Sequence, residues 1–258
     1  MIIPFNKYHG TGNDFIIIDN RNNIFNPSDT VTIKELCTRR FSIGADGLIL
    51  ISSLEGYDYE MKYFNSDGNE SSMCGNGGRC AAAFTNKHGI AGLSQRFLTY
   101  DGVHEAIISG EIIKLKMNDV DEIKTPGTDY YINTGSPHFV RFTRNVKNFK
   151  VFEEGRKIRN DRVYSPGGTN VNFVEVSDDS IFVRTYERGV EDETLSCGTG
   201  VTASAIASVL EGHFDTNSVK VKTPGGNLTV EFRIENHRIT DIWLSGPAAF
   251  VYEGEVEV

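Results

Sequence analysis

Met73-Cys74-Gly75-Asn76-Gly77-Gly78-Arg79, running into Cys80-Ala81-Ala82-Ala83, has a second copy further down the chain: Ser196-Cys197-Gly198-Thr199-Gly200, running into Val201-Thr202-Ala203-Ser204-Ala205. The two thiols are 123 residues apart in a chain of 258. A true duplication keeps its offset elsewhere, and this one does. Phe15 of Thr11-Gly12-Asn13-Asp14-Phe15 maps to Phe139 of Thr134-Gly135-Ser136-Pro137-His138-Phe139. Gly44-Ala45-Asp46-Gly47 maps to Gly168-Thr169-Asn170-Val171, Tyr63-Phe64-Asn65 to Thr185-Tyr186-Glu187, and Thr99-Tyr100-Asp101-Gly102 to Thr223-Pro224-Gly225-Gly226. The chain therefore reads as two homologous halves, each large enough to bury most of a core.

Hydrophobic content of 39% and charged content of 24% are those of an ordinary globular protein. No stretch approaches the roughly 18 apolar residues of a membrane span, and the N-terminus lacks the basic-then-apolar pattern of a signal peptide. A net charge of −9 argues against a nucleic-acid partner, which needs a basic face. Four cysteines without a secretory signal point to reduced thiols and a cytoplasmic location. Cys74 and Cys80 do not have zinc-ligand spacing, so no metal is expected. Cys37 and Cys80 read as small buried hydrophobes.

Phe15–Asp19 and Leu48–Ile51 read as buried strands. Val103–Ile108 and Ile112–Met117 form a hairpin turning at Ser109-Gly110. Leu228–Ile234 and Ile239–Leu244 are its counterpart, turning at Glu235-Asn236-His237. Helices are expected over 31–41, 75–88, 199–212 and a short stretch at 144–151. Strands do not alternate singly with helices, which excludes a doubly wound sheet. The expected class is α/β (α+β): two pseudo-symmetric domains, each a curved mixed or antiparallel barrel-like sheet wrapped around a central helix. The domains are 1–121, with the strand 247–258 as a candidate to complete it, and 122–258; Pro126-Gly127 marks a seam. Alanines after each cysteine keep the central helix thin.

Each cysteine stands at a helix N-terminus, where backbone N–H groups lack intrahelical acceptors and the dipole is positive. A thiolate is stabilised there, and a carboxylate can be held. Two such ends facing each other would grip one α-carboxylate and put a sulfur on each face of its α-carbon. That suits exchange of an α-hydrogen with inversion: one thiolate takes the proton, the other thiol returns one from the far side. No lysine sits in a context for a pyridoxal Schiff base, so no cofactor is expected.

In Gly10-Thr11-Gly12-Asn13-Asp14-Phe15, Phe64-Asn65-Ser66-Asp67-Gly68, the Met73–Cys80 segment, and Glu187-Arg188-Gly189 leading to Cys197-Gly198-Thr199-Gly200, the chain resembles the diaminopimelate epimerases. The resemblance implies cofactor-free interconversion of LL- and meso-diaminopimelate for lysine and peptidoglycan precursors, by an enzyme that is commonly a homodimer. It makes Cys74 and Cys197 the acid/base pair. Asn13, Asn65 and Asn170 match substrate-binding positions, Glu187 and Arg188 the pair that holds the distal ammonium and carboxylate, and Gly75, Asn76, Gly198 and Thr199 the α-carboxylate cradles. His138 matches a supporting histidine. Ser136 stands where the family usually has Asn, and Val190–Thr194 is a residue longer than in many relatives, adding acid ahead of Cys197.

Three other readings fit the residues less well. A proline racemase-like enzyme shares the two cysteines but has no use for Glu187-Arg188 and three asparagines. An epimerase of a different amino acid would be compatible with Ser136. A thiol redox sensor would pair Cys74 with Cys197 as a disulfide.

Overall fold

In the computed structural model, which describes every residue of 1–258 except His237, the chain forms two compact units. One comprises Met1–Leu115 with Gly246–Val258, the other Lys116–Ser245. His237, placed by the sequence in a hairpin turn, lies outside the described residues.

The first unit opens with a hairpin, β1 (Ile2–Gly10) and β2 (Asn13–Asp19). Thr11 and Gly12 at its tip both take positive φ, 49° and 86°, the conformation that matches a tight turn to strand twist. Helix α1 (Thr30–Cys37) follows, then β3 (Gly47–Ser52), which runs parallel to β2, and β4 (Tyr59–Asn65), which returns antiparallel. Short β5 (Glu70–Ser71) leads into α2 (Gly75–Lys87). Strands β6 (Ser94–Thr99), β7 (Gly102–Ser109) and β8 (Ile112–Lys116) complete the run. Residues Phe15–Ile18 and Leu48–Ile51 are entirely buried, which is why each reads as a continuous apolar run rather than an alternating one.

The second unit repeats this order. It begins with short β9 (Ile123–Lys124), which pairs with β10 (Tyr130–Asn133), itself hairpinned to β11 (Pro137–Phe142). Helix α3 (Val151–Arg159) precedes β12 (Asn170–Val176), and β13 (Ser180–Glu187) and β14 (Asp192–Thr194) lead into α4 (Gly198–Leu210). Strands β15 (Ser218–Thr223), β16 (Gly226–Glu235) and β17 (Arg238–Pro247) follow. The register preserves the repeat. Phe15 pairs with Gly47 across a parallel β2/β3, and Phe139 with Val171 across a parallel β11/β12, both 124 residues on. The last strand, β18 (Ala249–Glu257), pairs antiparallel with β1 in the first unit.

Each long helix is the axis of its unit. Helix α2 packs against β1, β2, β3, β7 and β18, and α4 against β10 to β13, β15 and β16. Most residues of both are buried. Small residues make this possible: a Cβ on Gly78 would lie 3.0 Å from Leu115 Cδ2 and from Met73 Sδ. The mixed α/β class with wrapped central helices agrees with the expectation from sequence.

Four local readings are corrected. Helix α1 stops at Cys37 rather than 41, because Thr38 turns extended and Arg40 adopts φ 73°, drawing the Arg39 guanidinium towards Asp14 and Asp46. The stretch 144–151 holds only a 3-10 turn, Val146–Asn148. Left-handed Asn145 and extended Phe149 bound it, and the real helix, α3, starts where the expected one ends. The first hairpin closes at Ser109 with Ile112, so Gly110-Glu111 forms the turn. Pro126-Gly127 lies inside the second unit, in a turn where Asp129 N–H donates to the Pro126 carbonyl.

Candidate active site

Cys74 is the N-cap of α2 and Cys197 the N-cap of α4, both with extended backbone. Their carbonyls accept the first intrahelical bonds, from Gly78 N–H at 2.7 Å and Val201 N–H at 2.8 Å. The opening N–H groups of each helix, those of Gly75 and Asn76 and of Gly198 and Thr199, point out of the helix end, where the dipole favours an anion.

In the first unit the β1–β2 tip lies against the start of α2. Buried Thr11 donates to Asn76 Oδ1 at 3.3 Å. Arg79, wholly buried on α2, donates to Asn76 Oδ1 at 2.9 Å, to Thr11 Oγ1 at 3.4 Å and to the carbonyls of Gly75 and Pro247. Arginine only donates, so Asn76 turns its Nδ2 outwards, to Asn13 Oδ1 at 3.2 Å. At the other end Asn13 Nδ2 donates to the Asp46 carboxylate at 2.7 Å. The row Arg79, Asn76, Asn13, Asp46 thus has a donor-only group at one end and an acceptor-only group at the other. That fixes both amides and presents Asn13 Oδ1 to the Cys74 thiol, 3.5 Å from Sγ.

Carboxylates brace this row. Asp46 accepts from Arg39 at 2.8 Å, and Asp14 pairs with Lys7 at 2.8 Å and with Arg39. Burial works to raise the Asp14 pKa, but the Arg39 and Lys7 bonds outweigh it and bring it to about 2. Asp101 accepts from Met73 N–H at 3.0 Å and from Thr99 Oγ1 at 2.8 Å, anchoring the approach to Cys74. Its own burial is outweighed by His104 and these two donors, and its pKa falls to about 2. Asn65 is exposed at the end of β4, level with Gly47 of β3.

In the second unit Thr134, 123 residues after Thr11, donates to the Thr199 carbonyl at 2.9 Å. Wholly buried His138 places Nε2 2.8 Å from Thr199 Oγ1, which is 3.5 Å from Cys197 Sγ. Burial, then the Arg188 charge, lowers the His138 pKa to about 3, so the ring is neutral. Asn170 donates to Ser136 Oγ at 2.9 Å and accepts from Arg188 N–H at 2.8 Å. The Arg188 guanidinium donates to Ser136 Oγ and the Gly167 carbonyl, both neutral. Glu187 accepts from Thr194 Oγ1 at 2.9 Å. The acids ahead of Cys197 are occupied: Glu191 pairs with Arg159 and Glu193 with Arg184.

The structure therefore brings together Asn13, Cys74, Gly75 and Asn76 in one unit. In the other it groups Ser136, Asn170 and Arg188, and also His138, Cys197, Gly198 and Thr199, with Glu187 ending β13 just before Arg188. Sequence reading passed over Arg79, Asp46, Asp101, Asn172 and Thr185. Arg79 was in plain view inside the repeat, and Asn172 announced itself as a polar residue in step with Asn170 on a buried strand. Among the described residues, no group of three or more His, Cys, Asp or Glu is placed to hold a metal.

The sequence model of the family described as diaminopimelate epimerase matches residues 5–121 and 130–251. The chain belongs to the diaminopimelate epimerase family. A diaminopimelate epimerase of Flavobacterium psychrophilum is 51% identical over 96% of this chain and 97% of its own length. One of Chlorobaculum tepidum is 42% identical over 96% and 98%. Among solved structures, a PhzF-family phenazine biosynthesis protein of Bacillus anthracis superposes with a TM-score of 0.81 at 18% identity, each chain fully covered. A hydroxyproline epimerase of Agrobacterium vitis gives 0.73 at 12%, with 99% of this chain and 92% of that one covered. At such identities these structures share the fold with this family member, and the sequence relatives define the family.

Proposed function

We propose that the chain interconverts LL- and meso-diaminopimelate by exchanging one α-hydrogen with inversion, using Cys74 and Cys197 as base and acid and no cofactor. One thiolate removes the α-proton, the carbanionic intermediate holds its charge on the α-carboxylate, and the other cysteine's S–H proton is delivered to the opposite face. After each turnover the thiol and thiolate have exchanged places. The α-carboxylate is held by the N–H groups of Gly75, Asn76, Gly198 and Thr199. Arg188, whose guanidinium meets only neutral oxygens among the described residues, takes the distal carboxylate. Glu187 takes the distal ammonium, and Asn13, Asn65, Asn170 and Ser136 complete the contacts.

One observation carries this reading: both cysteines cap buried, glycine-opened helices. The close sequence relatives named for the activity support the choice of substrate over a proline-type ring. The enzyme works in the cytoplasm as a homodimer, which light scattering on the purified protein tests; no described helix is long and apolar enough to cross a membrane. The deciding assay incubates the protein with LL-diaminopimelate in deuterated buffer. The meso isomer should appear carrying deuterium at the inverted α-carbon. Absence of both exchange and meso product sinks the proposal.

A further inference from the structure

Asn172 lies on the same face of β12 as Asn170, wholly buried, and its orientation can be read from its neighbours. The Phe139 carbonyl can only accept, so the Asn172 atom 3.0 Å from it is Nδ2. Thr185, directly opposite on β13, donates to Oδ1 at 2.9 Å. The same Nδ2 stands 3.2 Å from His138 Nδ1. An amide nitrogen donates, so Nδ1 accepts, and the neutral ring carries its proton on Nε2. Nε2–H then donates across 2.8 Å to Thr199 Oγ1, which leaves the threonine proton free to point at Cys197 Sγ, 3.5 Å away. Reversing the Asn172 or the His138 link would set two donors or two lone pairs face to face, and with Nε2–H donating to it the Thr199 hydroxyl can give its own proton to the Cys197 sulfur.

The repeat shows that the fold does not need this polar column. At an offset of 124 the counterpart of Asn172 is Leu48, a wholly buried aliphatic residue in the corresponding strand β3. Burying an amide costs free energy that an aliphatic side chain does not, and only the second half does so here. Backbone space is also given up to it: a Cβ on Gly200 would lie 2.4 Å from Asn172 Oδ1 and 3.2 Å from His138 Cε1.

We propose that Asn172, backed by Thr185, is a positioning residue for the epimerisation: it sets the tautomer of His138 and so turns the Thr199 hydroxyl into a donor aimed at the Cys197 sulfur. The aimed hydroxyl stabilises the thiolate form of Cys197, the form that abstracts a proton. This role rests on the two-cysteine reading of the site.

Nitrogen-15 NMR of protein labelled in its histidine rings, with His138 assigned by its loss in H138Q, tests the first step without substrate. The wild-type ring should be neutral and protonated at Nε2; a proton on Nδ1 overturns the proposal whether or not any variant folds. Asn172→Asp keeps the shape but presents an acceptor to Nδ1, so the Nδ1 proton should appear. In a Cys74→Ala background, alkylation of Cys197 by iodoacetamide should then slow by about 10-fold, the worth of one hydrogen bond to a charged group. In the otherwise native chain kcat should fall about 10- to 100-fold with KM nearly unchanged. Thr185→Val should move both readouts the same way by less. A changed tautomer with unchanged Cys197 reactivity overturns the relay. Failure of the wild-type protein to turn over diaminopimelate would count against the proposed function alone, since the NMR and alkylation arms use no substrate.

Discussion

At the scale of single residues the four cysteines separate cleanly. Burial pushes the Cys37 thiol up to about 12 and holds Cys80 well above the ordinary range, so neither can serve as a base near neutral pH. Cys74→Ala and Cys197→Ala should each lower epimerisation by at least about 10²- to 10⁴-fold, the usual worth of a positioned acid or base. Cys37→Ala and Cys80→Ala should keep kcat and lose only stability, measured by coupled assay and urea unfolding side by side. The buried histidine makes a pH prediction. His138 has a folded pKa of about 3 against 6.5 unfolded, so the unfolded chain binds the extra proton between those values. Its contribution to stability is complete above about 6.5 and is lost as pH falls towards 3. Asp14 and Asp101, held at about 2, contribute above their unfolded value of 3.8 and lose it below. Urea midpoints from pH 7 to 4 should therefore fall in the wild type, and less steeply in His138→Gln.

At the scale of elements the two central helices carry matched glycines for unmatched reasons. On α2 a Cβ at Gly77 would meet Ile49 Cδ1 at 3.4 Å and Phe15 at 3.5 Å, ordinary contact distances. On α4 a Cβ at Gly200 would collide with the Asn172 amide. Gly200→Ala should therefore destabilise the protein by about 1–3 kcal/mol. Gly77→Ala should be neutral or slightly stabilising, because alanine suits a helix interior better than glycine by about 0.5–1 kcal/mol. Thermal melts of the two variants make the comparison; equal losses would mean that the packing around α4 is not as tight as described. Helix α3 teaches a related lesson. It is the repeat partner of α1, displaced by about the same offset as the cysteines, so the duplication already implied a helix near 151–159. Local pattern at 144–151 obscured it, because Glu175 caps the N–H groups of Asn145 and Val146 from another strand and holds a turn there instead.

At the scale of the whole molecule the first unit is not continuous in sequence. Strand β18 pairs with β1 along its length, from Ile2 with Glu257 to His9 with Ala249. Aromatic contacts reinforce the pairing: Phe5 meets Tyr252 edge-on at 5.9 Å and Tyr8 meets Phe250 at 5.5 Å. Phe5 and Tyr8 are buried and Phe250 and Tyr252 exposed; a buried aromatic side chain contributes about 1.5–3 kcal/mol, against a total stability of about 5–15 kcal/mol for a typical domain. Deleting residues 249–258 should therefore remove the cooperative unfolding of the first unit, seen by circular dichroism, and make residues 1–115 the preferred site of proteolysis. A truncated protein that melts like the full chain would show that β1 holds without its partner.

What the sequence determined by itself was whatever recurs locally and can be compared with its own copy. The duplicated Cys-Gly-x-Gly, the alanine-rich helices and the apolar runs Phe15–Asp19 and Leu48–Ile51 required the class of fold. They also singled out Cys74 and Cys197, because backbone geometry at a helix N-terminus follows from the chain immediately around it. Only the tertiary structure decided which side chains face one another. Arg79 and Asn76 share one helix, but Asn13 and Asp46 come from two other stretches of chain, and nothing in any one stretch says that a donor-only group will end a row that an acceptor-only group begins. The same holds for Thr185, Asn172, His138 and Thr199. Hydrogen-bond direction is a property of neighbours in space, set by strand register and by the space that Gly200 leaves, and it has no local signature in a chain.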